Sequence, residues 1–109
     1  MSELPSRPRL RVQRRARPGE VIELRALMDH PMETGIRTGG GPAPARDMLE
    51  SLVVTMNGAP LVEVAFRNGA SPNPFHVFHA QVEQDSLFRF TWTDEAGRSA
   101  SVEARVGVG

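Results

Sequence analysis

The sequence predicts an all-β fold, a sandwich of about seven antiparallel strands with no disulfide. Three observations predict it. Apolar and polar residues alternate at period two through most of the chain, the mark of half-buried strands. No segment of useful length carries the helical period. Turn-forming residues fall between the alternating runs at hairpin spacing.

The elements follow in order. Leu10 and Val12 alternate with Arg9, Arg11 and Gln13, and Pro18-Gly19 turns the chain after them. In Glu20–Met28, Ile22, Leu24, Ala26 and Met28 share one face, with Glu23 and Arg25 on the other. Leu52, Val54 and Met56 oppose Ser51 and Thr55. Asn57-Gly58 is a favoured two-residue hairpin turn, because both positions must reach positive φ. Val62, Val64 and Phe66 oppose Glu63. Phe78, Ala80 and Val82 oppose His79, Gln81 and Glu83. Phe88, Phe90 and Trp92 oppose Arg89, Thr91 and Thr93. Asp94–Arg98 closes a second hairpin with Gly97 as its left-handed residue. Ala100, Val102, Ala104 and Val106 form the last inner face. Seven short strands in this length predict an immunoglobulin-like β-sandwich. Phe66, Phe78, Phe88, Phe90 and Trp92 take the centre of packing that a disulfide holds elsewhere.

Two connections are long. The loop at 29–47 contains a specified part, 30–37, and a glycine- and proline-rich part, Gly39–Pro44. Loops beyond about 12–15 residues are uncommon and are usually functional or disordered. The second connection is Arg67–Phe75.

The chain has 109 residues, enough for one domain and one core. Residues 1–8 read as a flexible basic arm, and 9–107 as a single sandwich domain. Residues 1–18 hold six arginines and one acid; the remainder holds seven arginines and twelve acids. Net charge is zero, so no global field steers the chain to nucleic acid or a membrane surface, and neither is an expected partner. No apolar run approaches the roughly 20 residues of a membrane-spanning helix. The N-terminal residues do not read as a signal peptide. With no cysteine in the sequence, thiolate catalysis and Cys-ligated zinc are excluded.

Catalytic signals are weak. His30, His76 and His79 fall in different segments without nucleophile-base spacing. Gly39-Gly40-Gly41 lacks the Lys-Ser/Thr of a phosphate cradle. The chain reads as a non-enzyme with no cofactor. One metal alternative exists. Met28, His30 and Met32 stand at spacing two, so an extended chain points all three the same way. Thioethers and imidazole suit Cu(I). Against it, Met28 continues the inward face of its strand.

A family resemblance enters at His30-Pro31-Met32-Glu33-Thr34-Gly35. This hexapeptide follows the strand opened by Gly19-Glu20-Val21-Ile22-Glu23. Downstream come Asn57-Gly58, Ser71-Pro72-Asn73-Pro74-Phe75, and Phe90-Thr91-Trp92-Thr93-Asp94 with Gly97. In that order and spacing the chain resembles the SoxZ family, from about Arg9 to Val106. The resemblance implies a non-catalytic subunit of the SoxYZ carrier of bacterial thiosulfate oxidation. It would bind a SoxY-type subunit whose C-terminal cysteine carries the sulfur intermediate. Other Sox enzymes would touch the complex transiently. The resemblance also implies a periplasmic location, reached by export with the SoxY-type partner. His30, Pro31, Met32, Glu33, Thr34, Gly35, Asn73, Pro74, Phe75 and Asp94, which carry the resemblance, are the expected partner-binding residues; for 30–35 the long specified loop is a further reason, since such loops tend to carry function.

Overall fold

In a computed structural model of the chain, eight strands form two sheets: β1 (Pro8–Val12), β2 (Arg15–Ala16), β3 (Glu20–Met28), β4 (Leu49–Met56), β5 (Ala59–Ala65), β6 (Phe75–Val82), β7 (Ser86–Asp94) and β8 (Ser99–Val108). The structure describes Leu4 and residues 7–36, 45–67 and 72–109. No helix occurs among them. One sheet has the order β1-β3-β6, and the other β2-β8-β7-β4-β5. All neighbours are antiparallel except the two-residue β2, which runs parallel to β8. That short strand was not expected from the sequence, because two residues carry no readable period.

Sequence alternation becomes sheet burial directly. The β3 residues Ile22, Leu24, Ala26 and Met28 are buried, and their neighbours are not. Register places Leu24 between Val12 and Phe78 in one sheet. In the other, Leu52 meets Trp92 and Trp92 meets Ala100. Phe88, Phe90 and Trp92 are fully buried on β7, with the Phe90 and Trp92 rings stacked at 6.1 Å. Burying one such ring contributes on the order of 2–3 kcal/mol, so this stripe is the chief apolar contribution of the five-stranded sheet. Phe66 and Phe78 pack at the margin of the same core. His76 lies between them, edge-on to Phe66 and stacked on Phe78.

The turns take the expected conformations. Asn57 and Gly58 both have positive φ, at 54° and 85°. Gly97 is left-handed at 85°. Residues 1–3, 5 and 6 of the expected N-terminal arm lie outside the described residues, as do Gly39–Pro44. Leu4 is buried and donates its amide to the Ser99 carbonyl at 3.0 Å. β4 carries an irregularity between Leu49 and Ser51 opposite β7. Bulges re-aim side chains at sheet ends. Here the irregularity sets Leu49 opposite Asp94, at the end of the sandwich where the candidate site lies.

Candidate functional site

The segments 30–36, 45–48, 73–75 and 94–98 meet at one end of the sandwich and are joined by a continuous set of polar contacts. β3 delivers the first of them. Beyond Met28 the chain leaves the sheet, and Asn73 clamps it. The Asn73 side-chain Oδ1 accepts the His30 N–H at 2.9 Å, and the Asn73 N–H donates to the His30 carbonyl at 2.7 Å. The Met28 amide donates to the Pro74 carbonyl at 3.0 Å. Asn73 has φ 51°, a conformation that Asn tolerates better than most residues.

The His30 side chain is buried. Its Nδ1 accepts the Met32 N–H at 2.9 Å, so Nδ1 carries no proton in this arrangement. Nε2 stands 3.2 Å from Asp47 Oδ1 but off the line of a good hydrogen bond. The imidazole thereby folds the chain back on itself, and Met32 takes a left-handed φ of 50°. Met28, His30 and Met32 do all face inward. With Nδ1 occupied by an amide and Nε2 turned to a carboxylate, the histidine is built as a structural hub, and this geometry does not favour the Cu(I) alternative. Among the described residues, no three His, Asp or Glu side chains converge as a metal site would require.

Glu33 and Asp47 then form a two-bond backbone bridge, at 2.7 and 2.8 Å. It closes the base of the 29–47 loop. Gly35, at φ 79°, packs against Arg46; a Cβ there would stand 3.2 Å from the Arg46 Cβ. The Arg46 guanidinium donates to the Thr34 carbonyl at 2.9 Å and grips Glu95 with two bonds, at 2.7 and 3.0 Å. The Arg46 fork holds the Glu95 carboxyl below the usual carboxylate range, and Glu95 in turn raises Arg46.

Asp94 completes the set. It is buried, at 1% exposure, and accepts the Ala96 and Arg98 amides at 3.0 and 2.7 Å and Arg98 Nε at 2.7 Å. Burial pushes its carboxyl up, but the Arg98 side chain and the turn amides outweigh that and leave it below its ordinary value. Arg98 Nη2 also reaches Asp47 Oδ1 at 3.4 Å. Asp47 is thus shared between His30 and Arg98, and links the 30–36 segment to the β7–β8 turn.

The family model for the sulphur oxidation protein SoxZ matches residues 10–105, nearly the whole sandwich. The chain belongs to the SoxZ family. No curated protein matches it by sequence. Among solved structures, it is similar to the superoxide reductase (neelaredoxin) of Ignicoccus hospitalis, with a TM-score of 0.73 at 13% identity over 94% of this chain and 80% of that one. It is also similar to the sulfur carrier protein SoxY of Chlorobium limicola f thiosulfatophilum, with a TM-score of 0.66 at 9% identity over 94% and 78%. At such identities these likenesses are of fold.

In this SoxZ-family chain the ten residues singled out from sequence divide by exposure. His30, Met32, Pro74 and Asp94 are buried; Glu33, Thr34 and Gly35 are half-buried; Pro31, Asn73 and Phe75 are exposed. The first group shapes the surface that the last presents. Phe75 is set apart from the polar network, because it begins β6 on the outer face of its sheet, opposite Leu27. Sequence reasoning missed Asp47, Arg46, Arg98 and Glu95. The Asp94–Arg98 pair had a local signal, an acid and a base bracketing one hairpin turn. The Arg46–Glu95 and His30–Asp47 pairs had none, since spacing along the chain says nothing about contacts across a sandwich.

Proposed function

We propose that this SoxZ-family chain is the non-catalytic subunit of a SoxYZ-type sulfur carrier. It binds a SoxY-type subunit whose C-terminal cysteine holds the sulfur intermediate, and helps present that cysteine to Sox enzymes. The observation that carries this reading is the SoxZ match across nearly the whole sandwich of a sequence without cysteine. A sulfur atom needs a thiol to ride on, and the partner must supply it. The proposed location is the periplasm, reached by export with the partner.

The proposed contact with the partner is the outer rim of the loop end, where Pro31, Thr34 and Asn73 stand over the linked His30–Asp47–Arg98–Asp94 set, whose His30 and Asp94 are buried and whose Asp47 and Arg98 are half-buried. A rigid underlying network lowers the ordering cost of binding. A stable pair of this kind buries on the order of 1,200–2,000 Å² or more. Native mass spectrometry of the chain co-expressed with a SoxY-type subunit tests the reading. A one-to-one complex, weakened by Pro31→Ala and Asn73→Ala, is expected. Recovery of two separate chains overturns it.

A further inference from the structure

The geometry points to a docking groove for an extended acidic peptide segment on the outer face of the β1-β3-β6 sheet, away from the polar loop network. Strand register builds it. Arg9 stands opposite Leu27 and Leu27 opposite Phe75; one row along, Arg11 stands opposite Arg25 and Arg25 opposite Val77. Directly opposed residues in antiparallel strands project to one face, so three guanidinium groups and three apolar side chains share it. An open groove of about 370 Å³ lies there, lined by Arg9, Arg11, Arg25, Leu27 and Phe75 among others. Phe75 and Val77, 55% and 42% exposed, are neighbours on this face beside Leu27 and so form a contiguous apolar strip rather than scattered exposed residues.

Charge identifies the occupant. Arg11 directly opposite Arg25 is a like-charge cross-strand pair, which destabilises a sheet until an anion joins it. Arg25 has the Glu23 carboxylate beside it; Arg9 and Arg11 make no ion pair among the described residues. The patch is therefore net positive, on a chain whose residues 19–109 are net negative. Guanidinium forks match carboxylates bidentately. The apolar rows beside them suit a strand-like segment that alternates acidic and aliphatic side chains. A nucleic acid fits less well, because the groove holds one aromatic ring, a carboxylate flanks it, and the acidic remainder of the chain repels a long polyanion. The arginine content suits a transient, electrostatically steered contact with a client protein of the carrier more than the permanent subunit interface. That assignment to a client rests on the proposed carrier function; the groove itself does not.

The test uses the full chain and a fluorescein-labelled ten-residue peptide alternating Glu and Val, read by fluorescence anisotropy at low salt. Binding that weakens steeply with salt is expected. Arg9→Gln and Arg11→Gln should each weaken it about fivefold or more, the order of one charge-assisted contact. Arg89→Gln, on the other sheet, should not, and thermal melts confirm that all variants fold. No binding, equal binding of a Gln-Val peptide, or tighter binding of a ten-nucleotide oligo-dT overturns the acidic-peptide assignment. Repeating the titration with a SoxY-type subunit present separates the two readings. Peptide binding that persists in the complex supports a client site, whereas displacement by the subunit overturns it. Failure of the two subunits to associate bears only on the carrier function.

Discussion

Asn73 holds the His30 backbone on both sides of its Cα: its side-chain Oδ1 accepts the His30 N–H and its own N–H donates to the His30 carbonyl. Two loops far apart in sequence are thereby fixed together. Asn73→Ala removes the side-chain bond and places an alanine at φ 51°. A destabilisation of about 1–3 kcal/mol is expected. Asn73→Gly keeps the backbone conformation and should cost less than Asn73→Ala. Urea denaturation of the two variants checks the order, and the reverse order would refute the clamp.

Gly35 is a steric matter. At φ 79° a side chain there is strained, and its Cβ would crowd the Arg46 Cβ at 3.2 Å, so Arg46 would have to shift. Gly35→Ala should cost about 1–3 kcal/mol, the usual scale of left-handed strain. The effect should be local. Hydrogen exchange at the Glu33 and Asp47 amides, which form the bridge beside it, should accelerate before that of the Phe90 amide does.

Asp94 predicts an acid limit. Its carboxyl lies below its ordinary value when folded, so the unfolded chain takes up the proton first as pH falls. The contribution is present above the unfolded value of about 3.9 and is lost as pH falls through the folded one. Asp94→Asn should therefore lower stability at pH 7 and flatten its dependence on pH below about 4. Melting temperature against pH for both proteins is the measurement.

His76 acts in a higher window. Burial between Phe66 and Phe78 pushes its imidazole below the ordinary histidine value of about 6.5. The folded state prefers the neutral ring. Stability from this site is complete above pH 6.5 and falls as pH drops toward the lowered folded value, because the unfolded state binds the proton more readily. His76→Leu should remove that slope below about pH 6.5. An unchanged slope would show that the ring titrates freely.

The sandwich was legible because its signal is short-range. Leu24 and Phe90 alternate with polar neighbours, and Asn57-Gly58 and Gly97 mark turns that only certain residues can make. The loop end was legible in part. His30 to Gly35 stood out as a specified run within a long connection, but nothing local showed that His30 and Asp94 point inward. Their burial depends on Asp47 and Arg98 arriving from other segments. The two-residue β2 escaped notice for a similar reason, since its pairing with β8 depends on tertiary proximity.

That short strand has a kinetic consequence. Arg15 and Ala16 sit opposite Gly107 and Val108, so the pairing joins residues from near opposite ends of the described chain. Closing so large a loop returns only two residues of ladder, and entropy delays such a contact until the β7–β8 hairpin and the longer-range β4–β7 pairing have formed. β2 is then the last strand to dock and the first to release. Each release uncovers the backbone of β8 at Gly107 and Val108, lengthening the open edge that another chain could pair with.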